Sequence, residues 1–366
     1  MRRKFSVFAL LLCLILSLPL PAQACGEPFG SGYELAQHIL TGHTLDLGES
    51  FGFSYTDRLD EAFAQPRALD SLLGNCGVKT YSYWHNDETR VVEVWQIEYY
   101  PGFRAACLAA QGKTELLSEQ EKLILARAEE MVEEAQKSAS SRYELLLAIH
   151  DLLVKQITYT ASDDDIWCSS DTAEGALLYG EADCDGYADA FYLLASLAGF
   201  EVGIQHGQSL PDGGEYVWHK WNLVRWDGQW YHMDVTWDDL DWSGRPEVTV
   251  YPYFMVGSDL LGHWWVEELA SCPAADTNPA LYFYTADESG ERYGAKSDSL
   301  EDAAAYAVRM QRDFGREQMH FMVKGSYLDD VWAVNEELGA AGLCGEWFTW
   351  VKEIGEYTCV SVTMTE

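Results

Sequence analysis

The chain has 366 residues, 48% hydrophobic and 13% aromatic, with a formal charge of −35. That length supplies material for two or three domains with real cores. So acidic a balance argues against nucleic acid or an anionic membrane as partner.

In chain order, basic Met1-Arg2-Arg3-Lys4, the apolar run Phe5–Leu18 and Ala22-Gln23-Ala24 form the pattern of a secretory signal peptide over residues 1–24. The apolar run is too short for a comfortable membrane span, and no other stretch reads as transmembrane. The site lacks the larger aliphatic residue of a lipoprotein signal, so the expected mature product starts at Cys25 without acyl chains and is secreted or extracytoplasmic. Eight cysteines remain after cleavage, and export permits disulfides, but spacing assigns none.

Residues 25–112 read as a small α/β domain. Its expected elements are a helix over 33–40, a strand over 50–55, a helix over 58–73, and a hairpin of Lys79–Trp84 with Thr89–Tyr99. Ser118-Glu119-Gln120-Glu121 and Ser141-Arg142-Tyr143-Glu144 are capping boxes, opening helices that end near Lys137 and Lys155. Residues 269–366 repeat the α-β-α-β-β order. A helix is expected over Ser299–Phe314, a strand over Gln318–Lys324, a helix over Leu328–Ala340, and a hairpin of Trp347–Lys352 with Tyr357–Thr365. The shared order suggests two duplicated modules flanking a central domain at 113–268.

The chemistry concentrates between Ala182 and Asp239. Asp183 is a good N-cap, and Tyr187, Phe191, Leu194 and Ala198 repeat at helical spacing up to Gly199. Cys184 therefore falls in the first turn of a helix, where free N–H groups and the dipole favour a thiolate. Asp183 and Asp185 oppose that, so a base is needed. His219 lies in Tyr216–Val224, an aromatic and β-branched run that reads as a strand. Asp227-Gly228 is a two-residue hairpin signal, and Trp230–Thr236 is the expected return strand. With Trp226 opposite Gln229, His219 would face Thr236, with Asp234 on the same face within side-chain reach. Cys, His and Asp are the parts of a thiol nucleophile, its base and the group that orients the base. No Cys-x-x-Cys or His-x-x-x-His spacing supports a rival zinc site, and no cofactor is implied.

Cys184-Asp185-Gly186-Tyr187-Ala188, His219-Lys220-Trp221-Asn222 and Trp230 through Asp238 resemble the bacterial transglutaminase-like superfamily. Ile149 to Tyr159 and Tyr253 to Gly257 extend the likeness over about residues 115–265. The resemblance implies an α+β, papain-like fold, in which a helix carrying the cysteine packs on an antiparallel sheet carrying the histidine and aspartate. It implies Cys184 as nucleophile, His219 as base and Asp234 as its orienter. The acidic neighbours of Cys184 depart from the family pattern. The expected activity is acyl transfer on amide bonds of a peptide or protein, such as a cell-wall or surface protein, with hydrolysis favoured over cross-linking. The alternative is a non-catalytic cell-surface or extracellular binding module that retains the scaffold.

Overall fold

The structure is a computed structural model, describing residues 53–58, 76–84, 89–160, 169–209, 217–240, 249–257, 264–265, 283–284 and 294–365. The expected signal peptide, the expected helix over 33–40 and all but Arg58 of the one expected over 58–73 lie outside these residues; Arg58 is the last residue of a strand instead. Contacts divide the chain into two compact units, meeting between Tyr100 and Pro101.

In the first unit, β1 (Phe53–Arg58) and β2 (Cys76–Trp84) flank β3 (Thr89–Tyr99) in an antiparallel sheet of order β1-β3-β2. Both neighbours pair antiparallel with β3.

The second unit opens with α1 (Pro101–Ala110), which the sequence reading missed. It is tied to the core by a buried carboxylate. Asp189 accepts hydrogen bonds from the N–H groups of Gly102 (3.0 Å), Phe103 (2.7 Å) and Ala173 (2.9 Å). Proline at the first helical position followed by N–H donors aimed at an anion is a favoured helix start. These bonds join the start of α1 to the central helix, which carries Asp189.

Helix α2 (Glu119–Ser138) has its complete capping box: Glu121 N–H donates to Ser118 Oγ at 3.1 Å, and Ser118 N–H to Glu121 Oε2 at 2.7 Å. Its stripe of Ile124, Ala128, Met131 and Ala135 is buried. At α3 (Arg142–Gln156), Ser141 Oγ takes the Glu144 N–H at 3.1 Å. The Glu144 carboxylate, however, goes to Ser140, which offers both an N–H (2.5 Å) and a hydroxyl. That local competition leaves the second capping box half formed.

A short parallel pair, β4 (Thr158–Tyr159) and β5 (Glu181–Ala182), leads into the central helix α4 (Cys184–Leu197), where Tyr187, Phe191, Leu193 and Leu194 are buried. Beside it stand β6 (Val202–Ser209), β7 (Val217–Trp226), β8 (Gln229–Met233), a short helix α5 (Val235–Asp238), β9 (Phe254–Val256) and β10 (Trp264–Trp265). The strands form an antiparallel sheet of order β10-β6-β7-β8-β9. The hairpin register is the expected one, with Trp226 opposite Gln229 and Asn222 opposite Met233. Asp227 (φ 48°) and Gly228 (φ 83°) both have positive φ, as a two-residue type I′ turn requires. The return strand is shorter than expected: it stops at Met233, because Asp234 caps α5 by accepting the Trp237 N–H at 3.1 Å.

The C-terminal module contains β11 (Ala295–Ser297), α6 (Leu300–Phe314), β12 (Gln318–Lys324), α7 (Val331–Ala341), β13 (Glu346–Ile354) and β14 (Tyr357–Thr365). Its sheet has order β11-β12-β14-β13. Apart from β11, these are the expected elements. One face packs on α6 and α7 through Phe321, Val323, Val360 and Val362. Phe348 and Trp350, at alternate positions of β13, pack on Leu240 and Val250, just beyond α5.

Candidate active site

Cys184 is the first residue of α4. The N-cap, Asp183, accepts the N–H groups of Asp185 (2.9 Å) and Gly186 (3.2 Å) on one carboxylate oxygen. Glycine is needed two residues after the cysteine, since a Cβ at Gly186 would lie 2.2 Å from the Ser170 carbonyl oxygen. That close approach lets the turn Ser169–Asp171 pack on the first turn of α4, where the Asp183 N–H donates to the Ser170 carbonyl at 3.1 Å.

The half-buried thiol lies 3.8 Å from Asp185 Oδ1. It accepts a hydrogen bond from the backbone of Lys220, the residue after His219 in β7. Burial pushes the Cys184 thiol well above its ordinary range. Asp185 and Asp183 push it the same way, and Lys220 pulls against them. Desolvation and the two carboxylates, whose opposition the sequence already implied, work against a dipole effect of about 0.3–1 kcal/mol that favours the thiolate.

His219 is buried, and its Nε2 hydrogen-bonds Asp234 Oδ2 at 2.6 Å. Its ring stacks on Trp221 (5.8 Å, 19°) and meets Trp237 edge-on (5.5 Å, 61°). Asp234 thus uses one oxygen to hold the imidazole and the other to cap α5. A carboxylate accepts, so this bond suits the tautomer with its hydrogen on Nε2. Trp237 also receives the C-terminal module: Lys352 Nζ lies 5.7 Å from its ring centroid.

Around this site is a buried polar frame that the sequence reading did not resolve. His150 of α3 hydrogen-bonds Asp151 through Nδ1 (3.0 Å) and Asp238 through Nε2 (3.2 Å). Tyr187 donates to Asp239 Oδ2 (2.5 Å), and Asn222 Nδ2 donates to the Ala188 carbonyl (3.1 Å). The signal was present in the motif itself: a run of Tyr, Asn and paired Asp residues on buried faces must find partners.

The two central histidines titrate oppositely. His232 accepts the Trp221 indole N–H at 2.8 Å on Nδ1, and burial lowers its pKa to about 3. Burial also opposes the charge on His150, but Asp151 and Asp238 overcome that and raise it to about 9. A depressed histidine contributes stability above its unfolded pKa, which is lost as pH falls from about 6.5 toward 3. A raised one contributes below about 6.5 and loses that as pH rises through about 9. Each limb should fall by about 1.4 kcal/mol per pH unit. Urea denaturation between pH 5 and 6.5 should show the acid limb flattened in His232→Asn, whose amide oxygen can still accept the indole N–H. An unaltered limb would remove His232 from that role.

A family model for the transglutaminase-like superfamily matches residues 129–235, which include Cys184, His219 and Asp234. Among solved structures, the chain is similar to a TGase at 13% identity, over 50% of this chain and 51% of that one, with TM-score 0.29. It therefore spans about half the length of that protein. A protein of Cytophaga hutchinsonii described as a candidate cysteine protease shares 10% identity, over 56% of this chain and 71% of its own, with TM-score 0.26. The periplasmic domain of TgpA from Pseudomonas aeruginosa, solved with ethylmercury bound, shares 13%, over 58% and 97%, with TM-score 0.24. Comparison with curated proteins returns no match.

Proposed function

We propose, from the match of residues 129–235 to the transglutaminase-like superfamily model, that the chain is an exported cysteine-dependent acyl-transfer enzyme acting on amide bonds of peptides or proteins. Cys184 is the nucleophile, His219 the base and Asp234 its orienter. The observation that carries this reading is the 2.6 Å bond from His219 Nε2 to Asp234, which leaves Nδ1 as the basic nitrogen. Export is supported by the residues before Cys25, and among the described residues no helix is long and apolar enough to cross a membrane. The match of β12-β14-β13 to β1-β3-β2 in order and in antiparallel pairing supports the two flanking modules as duplicates at 25–112 and 269–366.

The reaction begins from a neutral thiol. As Cys184 Sγ attacks the carboxamide carbon, the thiol proton passes to His219 Nδ1 and a C–S bond forms. The carbonyl electron pair moves to oxygen, where the Cys184 backbone N–H at the helix start can donate. Collapse breaks the C–N bond, and Nδ1 returns its proton to the leaving amine. Water then attacks the thioester, giving a carboxylate and restoring the thiol. The Asp234 carboxylate holds the imidazole in place and stabilises its charged form without taking the proton.

Both hydrolysis and transfer to an amine pass through the same thioester. Water is present at about 55 M and must be excluded for transfer to win. Incubation with casein, with and without a millimolar alkylamine, should therefore release new termini with little amine incorporated. Predominant amine incorporation would reverse that order. Absence of any Cys184-dependent product would favour the non-catalytic binding module, which the strongly raised thiol pKa also suits.

A further inference from the structure

We propose that Lys220 is a positioning residue for the Cys184 thiol: its ammonium, locked to Asp185, neutralises the carboxylate nearest the sulfur and supplies the positive field in which a thiolate forms. This rests on Cys184 as nucleophile and adds a residue to that site.

The geometry is specific. Lys220 Nζ lies 2.8 Å from Asp185 Oδ2, with the lysine side chain only 4% exposed. The other oxygen of the same carboxylate lies 3.8 Å from Cys184 Sγ. The Lys220 backbone also bonds the sulfur, so one residue of β7 meets the thiol directly and through Asp185. Asn222, two positions along the strand, donates to the Ala188 carbonyl, which fixes this face of β7 against α4.

Charge accounting explains why a cation is needed there. Besides the proposed base His219, the groups acting on the sulfur include Asp183 and Asp185 from its own chain segment, Lys220 from β7 and the Tyr159 phenol from β4. Asp183 has one oxygen committed to two N–H groups of the helix start. Asp185 has Lys220. Without Lys220, Asp185 would repel a thiolate at close range in a partly desolvated site, where screening is weak. Burying a lysine carries a desolvation cost that an apolar side chain in the same place would avoid, and the ion pair offsets it.

The test is the rate of Cys184 alkylation by iodoacetamide between pH 6 and 10, followed by peptide mass spectrometry. The exposed free thiol of Cys344 serves as internal reference. Lys220→Met should move the Cys184 profile to higher pH and lower its rate at pH 8 about tenfold or more, a shift of one pKa unit being tenfold. Lys220→Arg, which keeps the charge, should stay near wild type. Asp185→Asn should move the profile to lower pH. The double variant Asp185→Asn with Lys220→Met removes the buried pair together and should recover most of the lost rate; it also decides the matter if Lys220→Met alone does not fold. A Cys184 profile that is unmoved in Lys220→Met, or a double variant no faster than Lys220→Met, would overturn the role of Lys220 while leaving the nucleophile intact. Wild-type Cys184 that is unlabelled at every pH would overturn both.

Discussion

Cys184→Ala is expected to abolish amide cleavage, and His219→Ala to lower it by about 10⁴–10⁶-fold, since in the proposed triad nucleophile and base act as one unit. The effect of His219 should be large because the half-buried Cys184 thiol is pushed well above its ordinary pKa range. With little thiolate present at neutral pH, proton removal must accompany attack. Asp234→Ala should cost less, about 10²–10⁴-fold, since it acts only through the imidazole. That variant also loses the cap of α5, worth about 1 kcal/mol of stability. Asp234→Asn retains an oxygen for one of the two partners and separates the roles: a stable protein with low activity would place the defect in the imidazole. Steady-state kinetics beside denaturant melts read both effects.

The second large effect is on folding. Asp189→Ala should destabilise the second unit by about 3–5 kcal/mol, a large part of the 5–15 kcal/mol of a typical domain. The side chain is fully buried and satisfies three N–H groups from two distant segments. Truncation leaves all three without a partner, at about 1–3 kcal/mol each if water does not enter. The site cannot relax easily: a Cβ at Gly102 would already lie 2.8 Å from the Asp189 carboxyl carbon. Asp189→Asn keeps one acceptor but turns an amide donor toward other donors, so it should fall between wild type and alanine. Chemical denaturation followed by circular dichroism measures the loss, and a change below about 1 kcal/mol would show that these bonds are replaced by solvent.

Much of this site was legible in the residues, for local reasons. Helix α4 has a capping aspartate and an apolar stripe, and the Asp-Gly turn fixed the β7–β8 register through its length alone. Five of the six C-terminal elements were readable because they have caps or alternation, as at Ser299 and Gly315 of α6. What escaped was non-local. Helix α1 has no acidic cap of its own in sequence, because its cap is Asp189, 87 residues away. The early end of β8 depends on Asp234 preferring to cap α5. The pairing of Lys220 with Asp185 depends on β7 packing against α4, and the raised thiol pKa follows from burial that spacing alone cannot report.

The central claim, that His219 is the base for Cys184, is tested most directly by single-turnover acylation. Wild type and His219→Ala would be mixed with p-nitrophenyl acetate at pH 7.5, quenched over a time course and mapped by mass spectrometry. The account predicts that wild-type Cys184 is acetylated at least about 10²-fold faster than in His219→Ala, the usual scale of general-base assistance. Exposed Cys344 should react at the same rate in both proteins. Equal acetylation of Cys184 in the two proteins would contradict it, and the domain would then be a scaffold that keeps the residues without their chemistry.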